Sequence, residues 1–134
     1  MKINCLSDTF FVSPQVKVGD LQEVKARGFK SLLINRPDGE SWGQPSSSQI
    51  EEAAAKLHIK TVYVPYKMGQ NPLEVLPDFQ EALANLEGPT LAFCRSGTRS
   101  AILWALSEKG KRPTDEILKA AQAAGYDLSK QLAD

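Results

Sequence analysis

The segment Thr90-Leu91-Ala92-Phe93-Cys94-Arg95-Ser96-Gly97-Thr98-Arg99-Ser100 runs into an unbroken apolar or small stretch from Ala101 to Leu106. Thr90 to Phe93 has the length and apolarity of a buried strand, and the stretch from Ala101 has those of a core helix. The residues between them read as a tight loop, with Cys94 in the turn. A loop that closes onto a helix start points several unpaired N–H groups at one spot, and the helix dipole adds partial positive charge there. Gly97 allows a positive φ, so that the amides curl inward, and Arg95 and Arg99 add fixed charge.

An anion is expected at that spot, and the nearest candidate is the sulfur itself. A thiol at a helix start beside arginine ionises more readily than a free one, which makes Cys94 a candidate nucleophile. A buried Cys after a strand is otherwise often only a small hydrophobe. Two arginines, a glycine and the hydroxyls of Ser96, Thr98 and Ser100 set this one apart.

Outward from this segment, strands and helices alternate. Thr9 to Val12 reads as a short strand, Asp20 to Arg27 as a helix closed by Gly28, and Lys30 to Asn35 as a second strand stopped by Arg36-Pro37-Asp38-Gly39. A helix is expected from Ser47 or Ser48, with Ser48 and Glu51 as a capping box and Ile50, Ala53, Ala54 and Leu57 on one face. His58 lies at its end, where the dipole alone favours it. Thr61 to Val64 is the third strand, and the Pro65 to Pro72 loop, with Tyr66, Lys67 and Met68, is a plausible wall for a site. Pro77 is expected to start or kink the next helix, which keeps helical spacing through Leu86. After the Cys94 helix, Thr114 is expected to cap a last helix that ends before Gly125, and no further strand is predicted.

This alternation predicts an α/β fold: a mainly parallel central sheet of about four strands flanked by helices, with ligands gathering outside the strands' C-terminal ends. Cys94, Arg36, Asp38 and Met68 all fall at such ends. The 134 residues fit one domain, 1–134. Sixteen basic residues balance sixteen acidic ones, so no net field favours nucleic acid or an anionic membrane. Cys5 and Cys94 give no disulfide framework, and with one His a metal site is poorly supplied, so no metal and no cofactor are expected. For Cys5 the sequence leaves two roles open, resolving an oxidised Cys94 as a disulfide or simply packing in the core. The N-terminus lacks a signal-peptide core, and no apolar run approaches the roughly 20 residues that span a bilayer, so a cytoplasmic location is expected.

The Cys94 to Ser100 motif resembles the phosphate loop of protein tyrosine and dual-specificity phosphatases, and it also resembles the rhodanese loop. Four residues separate Cys94 from Arg99, the spacing of the rhodaneses, where the phosphatases have five. Chain order favours the phosphatases, because rhodanese domains continue from this helix into another strand. From Phe11 to Leu106 the chain resembles a narrower family, the phosphatase-like domain of beta-lactamase-hydrolase-like proteins. Val12-Ser13-Pro14-Gln15, Gly28-Phe29-Lys30, Asn35-Arg36-Pro37-Asp38-Gly39-Glu40, Val64-Pro65 and the Cys94 to Ser100 motif with Trp104 carry that resemblance.

The resemblance implies a dual-specificity-phosphatase-like fold. It also implies a mechanism in which Cys94 attacks phosphorus, the amides of Arg95, Ser96, Gly97 and Thr98 with Arg99 hold the oxygens, and Ser100 helps the thiolate leave. The substrate would be a small phosphate monoester or a phosphoprotein. Phe93 stands where such phosphatases usually carry His, and no Asp stands in the loop near Met68. Lost acid catalysis typically forfeits roughly two to four orders of magnitude, so good leaving groups are expected to react best. Asp38 is a secondary candidate for the missing acid and Arg36 for a further anion contact, although Asp38 is equally an ordinary Pro-Asp-Gly turn residue. The second reading is sulfur transfer through a Cys94 persulfide, and the third is a module that only binds an anion or a phosphorylated partner.

Overall fold

A computed structural model describes residues 1–133. Its strands are β1 (Asn4–Cys5), β2 (Phe10–Ser13), β3 (Ser31–Ile34), β4 (Lys60–Tyr63) and β5 (Thr90–Phe93). Its helices are α1 (Leu21–Ala26), α2 (Ser47–Lys56), α3 (Pro72–Asn85), α4 (Thr98–Glu108), α5 (Thr114–Ala123) and α6 (Ser129–Leu132). A 3-10 turn, Val18–Asp20, leads into α1. The strands form one sheet in the order β1-β2-β5-β3-β4. β2, β5, β3 and β4 run parallel, the four strands that the sequence predicts. The fifth, β1, is an antiparallel edge, with Asn4 opposite Val12 and Cys5 opposite Phe11. No periodicity marks a two-residue strand, and Cys5 is exposed there, which removes the core-packing alternative.

The two central strands, β3 and β5, are buried at every position. Their alternate side chains feed two apolar layers, as a parallel sheet covered on both faces requires. Leu32, Ile34, Leu91 and Phe93 pack with Leu21, Val24 and Ile50 of α1 and α2 on one face. Leu33 and Ala92 pack with Phe79 of α3, Leu103 of α4 and Ile117 of α5 on the other. Each fully buried Leu or Phe of this kind is worth about 1.5–3 kcal/mol. The polar starts of the two strands satisfy one another: Ser31 and Thr90 are register partners whose hydroxyls lie 2.7 Å apart, and Ser31 also donates to the Glu87 carbonyl at 2.9 Å. Helix α4 is buried almost all round because it lies against the sheet with α3 and α5 beside it. That placement explains the run of apolar and small residues after Ser100.

Helix α2 starts at Ser47, as expected, but its cap differs from the sequence expectation, as do the start of α3 and the cap of α5. Helix α2 is capped by Ser46, whose hydroxyl accepts from the Gln49 N–H at 3.2 Å while Gln49 Oε1 accepts from the Ser46 N–H at 2.9 Å. The expected Ser48–Glu51 pair lies two residues further on, inside the helix. Helix α3 starts at Pro72, with Asn71 accepting from the Leu73 N–H at 3.1 Å, so Pro77 is an interior residue. Pro77 is exposed, and so is Leu73, whose carbonyl loses the N–H that Pro77 lacks. Thr114 is the first residue of α5 rather than a side-chain cap; Asp115 and Glu116 complement the helix dipole in its first turn. His58 follows α2 with a φ of 59°.

The sheet register decides where a site can be built. Ser13, Phe93, Ile34 and Tyr63 end their strands in one row, since Ser13 pairs with Phe93, Phe93 with Ile34 and Ile34 with Tyr63. The chain just beyond that row stays laced together: the Asn35 N–H donates to the Phe93 carbonyl at 2.9 Å and the Tyr66 N–H to the Asn35 carbonyl at 2.9 Å. Residues that follow β2, β3, β4 and β5 are thereby gathered on a single edge. Among the described residues no helix is long and apolar enough to cross a membrane.

Candidate active site

Cys94 directly follows β5 and is fully buried at the base of the loop. The Gly97 N–H donates to its sulfur at 3.1 Å. Gly97 has a φ of 94° and sits at the start of α4, so the backbone turns its amide back toward the thiol where an extended residue could not. A Cβ at position 97 would overlap the Tyr126 hydroxyl and press to 3.4 Å from the Ser13 carbonyl. Gly97→Ala combines that overlap with a backbone angle that L residues rarely adopt, and is expected to cost at least about 2 kcal/mol. Thermal unfolding of the variant checks this.

Arg99 is the second residue of α4, and its guanidinium is buried. Nη1 donates to Glu40 Oε2 at 2.7 Å and to the Tyr66 carbonyl at 2.8 Å, while Nη2 donates to Glu40 Oε1 at 2.8 Å. This fork-to-fork pairing fixes the plane of the guanidinium as well as its charge. Glu40 holds Arg99 more firmly protonated than usual, and the Cys94 sulfur adds to this against the opposing effect of burial.

Glu40 is the partner that the sequence reading missed. It also accepts from Arg36 Nε at 3.0 Å, so one carboxylate ties two arginines together. Its bond from Arg99 pulls its pKa below the ordinary 4.5; burial opposes the shift, and Arg36 reinforces it. Glu40 is therefore ionised at neutral pH and is no proton donor. The only sequence signal was its place in the Asn35 to Glu40 turn, since its partner lies 59 positions away.

A group whose carboxyl is depressed on folding adds stability that is present above the unfolded value and lost as pH falls through the folded one. Glu40→Gln is accordingly expected to cost about 1–2 kcal/mol at neutral pH. Its deficit against the wild type should shrink below pH 4.5 as Glu40 takes up its proton. Urea unfolding of both proteins across that range measures this.

The structure gathers the other sequence candidates at the same edge and gives several of them partners within the protein. Arg36 is buried, and besides Glu40 it donates to Gln15 Oε1 at 3.0 Å and Ser41 Oγ at 3.1 Å. It is thus an arm that steadies Glu40 rather than a free anion contact. Asp38 accepts from the Ser47 N–H at 2.7 Å and the Ser47 hydroxyl at 2.8 Å, which commits its carboxylate to the start of α2. Ser100 donates to Asn35 Oδ1 at 2.9 Å, and Asn35 Nδ2 donates to the Val64 carbonyl at 2.9 Å, joining α4 to the ends of β3 and β4. Ser96 and Thr98 lie with their hydroxyls 3.0 Å apart at the mouth of the loop.

Above the loop is a cleft of about 290 Å³, walled by Tyr66, Lys67 and Met68 on one side and by Arg95, Thr98 and Arg99 on the other. The 66–69 loop is the wall that the sequence predicts. Among the described residues no carboxylate lines this cleft, and Lys67 and Arg95 are part of its lining. A larger groove of about 450 Å³ lies between β4 and α3, but Glu74, Asp78 and Glu81 line it and make it unfit for an anion. Of these two cavities, charge makes the cleft beside the Cys94 loop the better suited to an anion.

Known proteins resemble this chain in sequence and fold. The family described as "Beta-lactamase hydrolase-like protein, phosphatase-like domain" matches residues 2–111. A beta-lactamase hydrolase-like protein of Xylella fastidiosa is 34% identical over 97% of this chain, and one of Agrobacterium fabrum is 31% identical over 96%. The chain spans 31% and 30% of those two relatives, so each carries further sequence of its own. A candidate phosphatase of Neisseria meningitidis superposes with a TM-score of 0.86 at 31% identity, covering 97% of this chain and 93% of that one. The catalytic domain of the yeast PP-IP phosphatase SIW14, solved with citrate, shares the fold at 17% identity, with a TM-score of 0.70 over 93% of this chain and 76% of that one. The α/β architecture is accordingly that of the protein tyrosine and dual-specificity phosphatases. Loop, sheet order and sequence agree: the chain belongs to the family of phosphatase-like domains of beta-lactamase hydrolase-like proteins.

Proposed function

We propose that this domain hydrolyses phosphate monoesters with Cys94 as the nucleophile. The observation that supports this most directly is the Gly97 N–H set on the Cys94 sulfur at 3.1 Å, beneath a cleft that carries Arg95, Lys67 and Arg99. Sulfur attacks phosphorus in line, the P–O bond to the leaving group breaks, and the loop amides and Arg99 hold the equatorial oxygens. Ser100 turns its hydroxyl from Asn35 toward the sulfur when the thiolate departs. Water then attacks the thiophosphate, the P–S bond breaks, and phosphate leaves with the thiolate restored.

The leaving group sets the substrate class. Glu40 is ionised on two arginines and Asp38 is bound to α2, so neither supplies a proton to a departing alkoxide. Aryl phosphates, including phosphotyrosine in small molecules or proteins, are the substrates that manage without one. The same commitment of both carboxylates favours one second reading, rhodanese-type transfer, in which Cys94 carries a sulfane sulfur and no acid is needed.

Turnover of an aryl phosphate, and of thiosulfate with a thiol acceptor, distinguishes these readings when each is run with wild type and Cys94→Ser. Cys94-dependent phosphate release is the expected result. Cys94-dependent sulfur transfer alone would replace the proposal by the second reading. Anion binding without either turnover would reduce the site to a binding module.

A further inference from the structure

The peptide unit between Ser96 and Gly97 is held at both ends. Its N–H reaches the Cys94 sulfur at 3.1 Å, and its carbonyl, on the opposite side as a trans peptide demands, accepts from the Tyr126 hydroxyl at 3.1 Å. The same phenol oxygen accepts from Asn4 Nδ2 at 3.0 Å. A phenol has a single proton, and the bond from Asn4 occupies a lone pair, so that proton points at the Ser96 carbonyl. Donation into the carbonyl polarises the peptide and strengthens what its N–H gives to sulfur.

Tyr126 is itself firmly placed. It follows Gly125, whose φ is 102°, its own N–H donates to the Ala121 carbonyl at 2.8 Å, and its ring is buried in the layer beneath α4. Burial raises its phenol above the ordinary value against the opposing bond from Asn4, and the Cys94 charge pushes the same way as burial, so the donor keeps its proton. The absence of a side chain at Gly97 leaves the room this hydroxyl needs. Tyr126 lies beyond residues 2–111, the part matched by the family.

We propose that Tyr126 is a positioning residue: through the Ser96–Gly97 peptide it aims and polarises the amide that faces the Cys94 sulfur, with Asn4 fixing the direction of its proton. The proposal rests on Cys94 being the reactive thiol. It adds a relay from β1 through the segment after α5 to the nucleophile loop.

Alkylation of Cys94 by iodoacetamide as a function of pH tests it, in a Cys5→Ser background because Cys5 is a second free thiol and, unlike the buried Cys94, is exposed. Tyr126→Phe keeps the ring and removes the proton. Its profile is expected to move about one pH unit to the alkaline side of the parent's, a roughly tenfold slower reaction on the rising limb that converges at high pH. Asn4→Ala removes the donor that fixes the phenol's proton without adding a charge, and is expected to move the profile the same way by less. It decides the matter if Tyr126→Phe folds poorly.

Folded variants that alkylate as the parent does at every pH, whatever their melting temperatures, would overturn the relay. Turnover of an aryl phosphate by the parent separates this from the functional reading. A parent that hydrolyses it while the profiles coincide loses only the relay. Displaced profiles in a protein without phosphatase activity uphold the relay and sink the phosphatase reading.

Discussion

Cys94→Ser is expected to lower aryl phosphatase turnover by at least roughly three orders of magnitude while leaving the fold intact. The substitution changes one buried atom at the base of the loop, and the Gly97 N–H that meets the sulfur at 3.1 Å finds an oxygen acceptor in its place. Packing around Phe93 and Arg99 is preserved, so stability should change by less than about 1 kcal/mol. The chemistry is not preserved, because a serine hydroxyl near neutral pH is a far weaker nucleophile than a thiolate and no adjacent base activates it. The loop cations and amides remain, so the variant should still bind phosphate or vanadate. Turnover and anion binding measured on the same preparation separate loss of the nucleophile from loss of the site.

The second large effect belongs to Arg99. Its Nη1 and Nη2 bond both oxygens of Glu40 at 2.7 and 2.8 Å, and Nη1 adds the Tyr66 carbonyl at 2.8 Å. Lysine keeps the charge but offers a point donor rather than a planar fork, so it cannot hold Glu40 and the 66–69 wall while also presenting N–H groups to a phosphate. Arg99→Lys is expected to lower kcat roughly 10²–10³-fold, the usual cost of one lost transition-state donor. It should also cost about 1–3 kcal/mol of stability through the broken pairing with Glu40. Steady-state kinetics with an aryl phosphate and urea unfolding check the two parts. A variant with wild-type kcat would mean that only the charge of Arg99 matters.

The segment centred on Cys94 was readable in sequence because every level points the same way. An apolar run forms the central strand Thr90–Phe93, a glycine takes the one positive φ in the loop, and a helix of apolar and small residues is buried almost all round. The parallel strands and their aligned ends followed from the same alternation. What escaped was set by contacts distant in the chain. β1 exists only by pairing with β2, and nothing local distinguishes Asn4 and Cys5. Three consecutive serines made the start of α2 ambiguous until Gln49 and Asp38 chose Ser46 and Ser47.

The same limit applied inside the site. Position after a strand placed Arg36 and Asp38 at the correct edge, but the direction of each side chain depends on Gln15, Ser41 and Ser47, which lie in other elements. Glu40 sits one residue after the Pro-Asp-Gly turn and meets Arg99 only because β3 and β5 are neighbours in the sheet. Tyr126 arrives from beyond α5, in a stretch without a motif of its own. Local chemistry singled out the Cys94 loop, whereas tertiary contacts selected the residues that orient it.

The central claim is that Cys94 becomes covalently phosphorylated during turnover. Mass spectrometry of wild-type protein quenched with acid during reaction with an aryl phosphate tests it directly. A phosphoryl adduct on the peptide containing Cys94, absent from Cys94→Ser, is the predicted result. An actively hydrolysing enzyme whose adduct sits on another residue, or a Cys94 that takes up only sulfane sulfur from thiosulfate, would contradict it.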